Sequence, residues 1–470
     1  MKNVVIEPTN DIQVQFIEDG NVLTTSELDE DERIIEDSIV PKIQSKEGKD
    51  FLGWYWGPVS NPTKYEGIFP MNIKNIPEEI FNSLDNNITF YARFGEHIKP
   101  NPIEKPGYRM IFNDEFTNDS LDTTKWVDRY LSSWSTSSQA TNNWDFDGNN
   151  AIIKIDRDTE PWCPEFDGQT VVSGFTTGQR NGLHNWTGKN TVRNPEDTKL
   201  THINQYGYYE IRAKGQEGSS RHIAWWLIGF EDKPDECVEL DVFEVKGRDS
   251  HSTVPAIHKW NDNDAMPYER LQNYTDKNKD FNNEWHVYGL DWIEGGGAGI
   301  YPDRMDLYVD GKKTASINVN INYPLIQLFS LYEKRAGGWT GNWEWMPYPN
   351  TFEIDYVRVY KKLKDGQPNL PNDQLSIVNV KVEDLKINLE NLKLATYKNT
   401  NYTEKNLPGT KSYVRIEWND GIETQEPVTW DAVTHSDIKK ITAGEIVNKK
   451  GYVPSVNQEV IMKISLMDKK

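Results

Sequence analysis

The chain has 470 residues, and at roughly 150 residues per domain that length implies about three domains. Lysine and arginine total 52 against 73 aspartate and glutamate, a formal net charge of −21; such an acidic surface repels phosphate and argues against nucleic acid or anionic membrane as partners. Only 36% of residues are hydrophobic, yet 17 are Trp and 22 Tyr, a composition that excludes a disordered chain and suits flat rings that are buried or stacked.

Two cysteines, Cys163 and Cys237, are too few for a disulfide framework or a four-cysteine zinc site. No stretch approaches 18 consecutive apolar residues, so membrane insertion is not expected. The start, MKNVVIEPTNDIQ, has no signal-peptide apolar core. Tryptophan is concentrated in the middle: thirteen of the 17 lie between residues 126 and 345, where the function is expected.

Residues 1–100 read as a small β domain. IQVQFIEDGNVLTT alternates around a turn at Asp19-Gly20, and NITFYARF alternates again. With KDFLGWYW between them, this order resembles the Listeria-Bacteroides repeat of bacterial surface proteins, apart from an insertion between Gly57 and Asn86. HIKPNPIEKPG, with three prolines, is a linker.

Residues 101–362 contain many short β-type runs, among them YRMIFNDEF, GYYEIRAK, IAWWLIGF, VELDVFEV, WHVYGLDWI and FEIDYVRVY, separated by turns rich in Gly, Asn and Asp. A block of this kind is expected to be an all-β sandwich or jelly roll. Residues 363–374 are a second linker, charged and then proline-rich. Residues 375–470 alternate at period two, and PVTWDAV, ITAGEIV and VIMKISL resemble a bacterial Ig-like domain. LPGT at 407–410 reads as a turn, because a β-rich segment and no apolar tail follow it.

ECVELDVFEVKG, residues 236–247, places Glu239, Asp241 and Glu244 within six residues of an otherwise β-forming run. In a regular strand 239 and 241 share a face and 244 points away; a β-bulge at Val242-Phe243 returns Glu244 to that face. One reading is a solvated strand face. The other is a groove in which crowded like charges raise at least one pKa, leaving a proton donor beside an ionised carboxylate, as glycoside hydrolysis requires. A calcium cage is a poorer fit, since a strand offers no loop carbonyls.

E-L-D-V-F-E resembles the bulged E-x-D-x-x-E signature of glycoside hydrolase family 16. IFNDEF, LDTTKW, QYGYYEIRAK, AWWL, AIHKW, WHVYGLDW, LYVDGK, GGWTG and FEIDYVRVY extend the resemblance over about 108–360. It implies a concanavalin-like β-jelly roll and a retaining mechanism with Glu239 as nucleophile, Glu244 as general acid/base and Asp241 between them. No catalytic cofactor is implied.

By the same resemblance Trp226, Trp260 and His258 lie near the cleavage point. Trp134, Trp144, Trp186, Trp343 and Trp345 lie in loop-like sequence, where groove lining and burial compete; Trp144 and Trp345 are taken as subsite candidates. Laminarinases of the family carry glucan-stacking tryptophans where this chain has Arg221 or His222 and Asp235 or Glu236. A galactose-containing glycan, mucin-type or poly-N-acetyllactosamine, is therefore expected, with the loop 181–202 closing one end of the groove. The alternatives are an endo-1,3-β-glucanase and a non-catalytic carbohydrate-binding surface protein.

The family's structural Ca2+ would fall on Asp355, with Glu115 and the carbonyl of Gly148. Cys237 either pairs with Cys163 or packs as a thiol. The expected partner is a polysaccharide or glycoprotein glycan, and the expected state is a monomer. The flanking modules imply an extracellular or cell-surface location, with the export signal outside this sequence.

Overall fold

The computed structural model describes residues 12–28, 34–43, 49–56, 63–64, 69–73, 87–96, 103–140, 142–185, 192–265, 271–296, 303–392 and 407–467. The chain divides into two compact units, one of residues 1–100 with 345–348, the other of residues 101–344 with 349–470.

In the first unit Ile12–Glu18 sits between Asn21–Leu28 and Asn87–Glu96, and the sheet continues through Lys49–Trp56 to Thr63–Lys64. The alternation of IQVQF puts Val14 and Phe16 inside, and Phe16 stacks on Phe90 at 4.9 Å. Trp54 packs edge-on to Phe16, and the two tryptophans of residues 1–100, Trp54 and Trp56, are core residues.

The second unit is built on two stacked sheets. One runs Lys312–Val319, Asp303–Val309, His286–Ile293, Gly207–Lys214, Asn350–Lys362, Ala151–Ile155, Asn143–Phe146, with Tyr108–Asp114 also paired to Asn350–Lys362. The other carries the site and consists of β1 (Thr170–Thr176), β2 (Arg221–Gly229), β3 (Glu239–Lys246), β4 (Ala256–His258) and β5 (Leu325–Lys334), in the order β1-β5-β2-β3-β4. Phe243 of β3 meets Tyr288 of the first sheet at 4.0 Å, and Trp225 of β2 lies parallel to Phe329 of β5 at 6.2 Å. These rings close the inter-sheet core, as the period-two pattern of a sandwich requires. The all-β jelly roll expected from the sequence is the fold observed.

Beyond the jelly roll, Ile377–Lys381, Tyr413–Trp418 and Glu423–Pro427 form one small sheet, and Leu385–Ile387, Gln458–Leu466, Val447–Val453 and Thr429–Trp430 form another. They enclose Ile416, Trp430, Ile441, Met462 and Ile464. Period-two reading missed one element, the helix His435–Thr442. It begins at a capping box: Thr434 Oγ1 accepts from the Asp437 amide while the Asp437 carboxylate accepts from the Thr434 amide. Among the described residues no helix is long and apolar enough to cross a membrane.

Candidate active site

The register of β2 against β3 decides which way the three acids point. Glu244 opposes Ala224, Phe243 opposes Trp225, and Asp241 opposes Trp226, which leaves Val242 as the extra residue of a β-bulge at the expected place. Phe243 therefore faces the core, and Glu239, Asp241 and Glu244 line the same cavity.

The cavity has a volume of about 330 Å³, within the range of small-ligand sites. Its floor is Trp226, whose indole N–H donates to Ser330 Oγ at 3.0 Å, and its wall includes Tyr130, Trp134 and Trp162. His222 lies flat on Tyr332 with centroids 4.2 Å apart, and its Nε2 stands 3.7 Å from Glu244 Oε1. Burial first, then Lys334 and Lys246, drive the His222 pKa well below its ordinary value, so this imidazole is neutral.

Around Glu239 the contacts are tighter. His184 Nε2 donates to Glu239 Oε2 at 2.5 Å and Trp260 Nε1 donates to the same oxygen at 3.0 Å. His258, paired with Glu239 across β3 and β4, places Nε2 3.4 Å from Asp241 Oδ2 and 3.9 Å from Glu239 Oε1. Glu239, Asp241 and His258 also form the only cluster of potential metal-ligating side chains found among the described residues. Its close histidine and aromatic partners make it equally a proton-handling site.

The three carboxyls are driven apart in proton affinity. Burial works to raise Glu239, but His184, then His258 and the Trp260 N–H, outweigh it and hold this group below its ordinary value. Burial and then the charge of Glu239 push Asp241 well up. Glu244 is raised well above its ordinary range by burial, then by Asp241 and Glu239. An ionised carboxylate and a protonated one thus share the cavity, the combination needed for nucleophilic attack with general-acid assistance.

Other sequence expectations meet a different geometry. Arg221 is buried but points to the opposite face of β2 from His222, with Nε 3.6 Å from Glu333 Oε2, so it does not line the cavity. Trp144 lies on the edge strand of the other sheet, edge-on to Phe146, and is not a cavity residue. Trp345 is 53% exposed and Trp343 is 40% exposed, and neither lines the cavity. Trp134 does, although it is buried. Trp186 lies outside the described residues. Asp235 is not a cavity residue, and Glu236 is held by Lys411 Nζ at 2.6 Å.

The proposed calcium ligands do not fit a cation. Arg358 Nε and Nη2 each donate to Glu115 at 2.9 Å, and Arg212 Nη1 donates to Asp355 Oδ2 at 2.9 Å. Each carboxylate already has its own guanidinium, and the carbonyl of Gly148 adds only a single neutral donor. Cys163 and Cys237 are separate, buried thiols. Burial pushes the Cys237 thiol up to about 11, so it stays protonated.

Residues 177–358 match the model of the Glycosyl hydrolases family 16. They form a family 16 glycosyl hydrolase domain. The chain is 26% identical over 364 residues to glucan endo-1,3-beta-glucosidase A1 of Niallia circulans, covering 66% of this chain and 48% of that protein. A beta-glucanase of Acetivibrio thermocellus is 28% identical over 158 residues, covering 33% of this chain and 42% of the relative. The chain thus spans about half the length of the curated relatives it matches. A GlcNAcα1-4Gal-releasing endo-β-galactosidase from Clostridium perfringens superposes with a TM-score of 0.51 at 22% identity, over 79% of this chain and 96% of that one. That likeness is one of fold.

Sequence reasoning placed the acids of the family 16 domain on one face but missed His184, Tyr130, Trp162, Tyr332 and Lys334 as neighbours of the site. His184 sits in the loop flagged as closing the groove, yet nothing in its spacing marks it, since loop residues carry no periodicity.

Proposed function

We propose that this chain is a retaining endo-β-glycosidase that hydrolyses internal β-linkages of galactose-containing glycans. The opposed protonation of Glu239 and Glu244 across one cavity carries the reading. In the first step Glu239 attacks the anomeric carbon, the glycosidic C–O bond breaks, and Glu244 gives its proton to the departing oxygen. In the second, Glu244 takes a proton from water, the water oxygen bonds to the anomeric carbon, and Glu239 leaves. Asp241, largely protonated beside Glu239, donates to the nucleophile and keeps the two glutamates in different states. Trp226 offers an apolar face to a sugar ring, and Trp260 and His258 frame the same point.

The galactoside preference rests on polar groups at the cavity wall. His222 and the hydrogen-bonded hydroxyls of Tyr130 and Tyr332, 3.1 Å apart, stand in a wall that a glucan-stacking site would make apolar. These groups suit an axial hydroxyl or an N-acetyl group. The curated relatives favour a second reading, since both are named as glucanases. Digesting mucin-type glycans, keratan sulfate, laminarin and agarose side by side, with reducing-end release as the readout, separates the two. Cleavage of the galactose-containing chains supports the first; cleavage of laminarin alone refutes it. No release from any substrate favours a binding protein that has lost catalysis.

A further inference from the structure

Two residues that donate to the Glu239 carboxylate, His184 at φ 58° and Trp260 at φ 49°, and Glu231 at φ 56°, which accepts from the His184 amide, adopt left-handed backbone conformations that non-glycine residues rarely take. Such strain persists where surrounding contacts over-determine it. The contacts are present. His184 donates its backbone N–H to Glu231 Oε1 at 2.6 Å while its ring donates to Glu239. Glu231 begins the loop that leads from β2 into β3, and the domain after the jelly roll grips the rest of that loop. Ser412 donates its amide to Asp232 Oδ2 at 2.8 Å and its hydroxyl to Oδ1 at 2.6 Å. The Gly409 amide donates to the Asp232 carbonyl at 3.1 Å, and Lys411 Nζ reaches Glu236 Oε1 at 2.6 Å.

Asp232 is buried and receives Arg180 Nη1 at 3.2 Å from the other side. Tyr413, next in sequence after Ser412, enters the apolar cluster that contains Trp226, Trp134 and Phe230.

We propose that the C-terminal domain is a working part of the active site: through Ser412 and Lys411 it fixes the 230–236 loop, and that loop holds His184 as a positioning residue against Glu239. The inference deepens the glycosidase reading and rests on it. With both fixed N–H donors on Oε2, Oε1 is the oxygen left to attack and the carboxylate plane is held, so losing the brace costs turnover more than substrate binding. Removing a residue that fixes reacting geometry is expected to cost about 100-fold in kcat.

Full-length wild type, His184→Ala, His184→Gln, Glu231→Ala, the pair Ser412→Ala/Lys411→Met, and Gln425→Ala are compared. Gln425→Ala breaks a different contact of the same interface, the bond from the Gln205 amide at 3.1 Å. The readouts are kcat and KM on mucin-type glycans and hydrogen exchange of peptides covering 180–185 and 229–238. His184→Ala should lose about 100-fold in kcat with KM changed by less than about twofold, and His184→Gln, which keeps an N–H donor, should recover part of the loss. The Ser412/Lys411 pair should lose about tenfold in kcat, with faster exchange in both peptides, while Gln425→Ala matches wild type.

Wild-type exchange and turnover in the Ser412/Lys411 pair would overturn the proposal, as would an equal effect from Gln425→Ala. Should that pair unfold the C-terminal domain, Glu231→Ala, which removes the acceptor of the His184 amide, decides: faster exchange at 180–185 with lowered kcat supports the brace, and unchanged values sink it. The absence of cleavage by wild type of mucin-type glycans, keratan sulfate, laminarin and agarose alike rejects the glycosidase reading instead, and the exchange data still decide whether the C-terminal domain fixes His184.

Discussion

Two regions of the jelly roll bury carboxylates, and they treat them in opposite ways. In the sheet behind the cavity three such groups have dedicated partners: Glu115 is clasped by Arg358, Asp355 by Arg212, and Glu210 accepts from the hydroxyls of Tyr208 and Tyr356. In the cavity Glu239, Asp241 and Glu244 face one another, with the His184 and Trp260 N–H groups both donating to Glu239 and the proton affinities of the other two acids raised. Matched charge builds structure; unmatched charge stores a difference in proton affinity that chemistry can use. The histidines of the site follow the same division: the one near Glu244 is kept neutral, while His184 donates to Glu239 and His258 stands 3.4 Å from Asp241.

The largest expected break of that contrast is on the cavity side. Glu239→Gln should still bind glycan yet lose nearly all turnover, at least about 10³-fold, because the amide cannot form the glycosyl ester. Normal turnover on the substrate that wild type cleaves rejects the assignment. In the other region, Arg358→Met should leave turnover per folded molecule near wild type but cost about 3–5 kcal/mol of stability, since it strands Glu115 without its cation. A denaturant titration checks this, and an unchanged midpoint means the pair is not holding the sheet.

A subtler outcome concerns protons. The proposed mechanism needs Glu239 ionised and Glu244 protonated, so kcat/KM should fall as pH drops through the depressed Glu239 pKa and fall again as pH rises through the elevated Glu244 pKa. Glu244→Gln should flatten the second limb, and a retained limb assigns it elsewhere. The same substitution has a stability signature. A carboxyl whose folded pKa lies above its unfolded value contributes fully at low pH and loses that contribution as pH climbs through the folded pKa. At neutral pH Glu244→Gln should therefore raise Tm, by roughly 2–4 °C; a drop would show that Glu244 is a structural group. The smallest effect is none: a chelator should leave Tm unchanged, because Glu115 and Asp355 are already neutralised by arginine, and a fall in Tm would reveal a cation site there.

The sequence made the acidic face legible because three acids interrupted an apolar run at positions that only a bulge reconciles, and Val242 is that bulge. It was less legible where both faces of a strand are buried. Every residue of RHIAWWLIG is inside, so composition did not say that His222 faces the cavity and Arg221 the core. The bond between His184 and Glu239 joins residues 55 positions apart through a loop, where neither period two nor period 3.6 applies. Tryptophan count misled in part: Trp126, Trp225 and Trp292 fill the core, and Trp226, Trp134 and Trp162 border the cavity.

The mechanism rests on Glu239 as attacking group and Glu244 as proton donor, and the configuration of the first product reports on both. Proton NMR of the newly released reducing end, recorded within the first minutes of digestion, should show the β-anomer before mutarotation; an initial α-anomer would mean that water attacks directly and would contradict it.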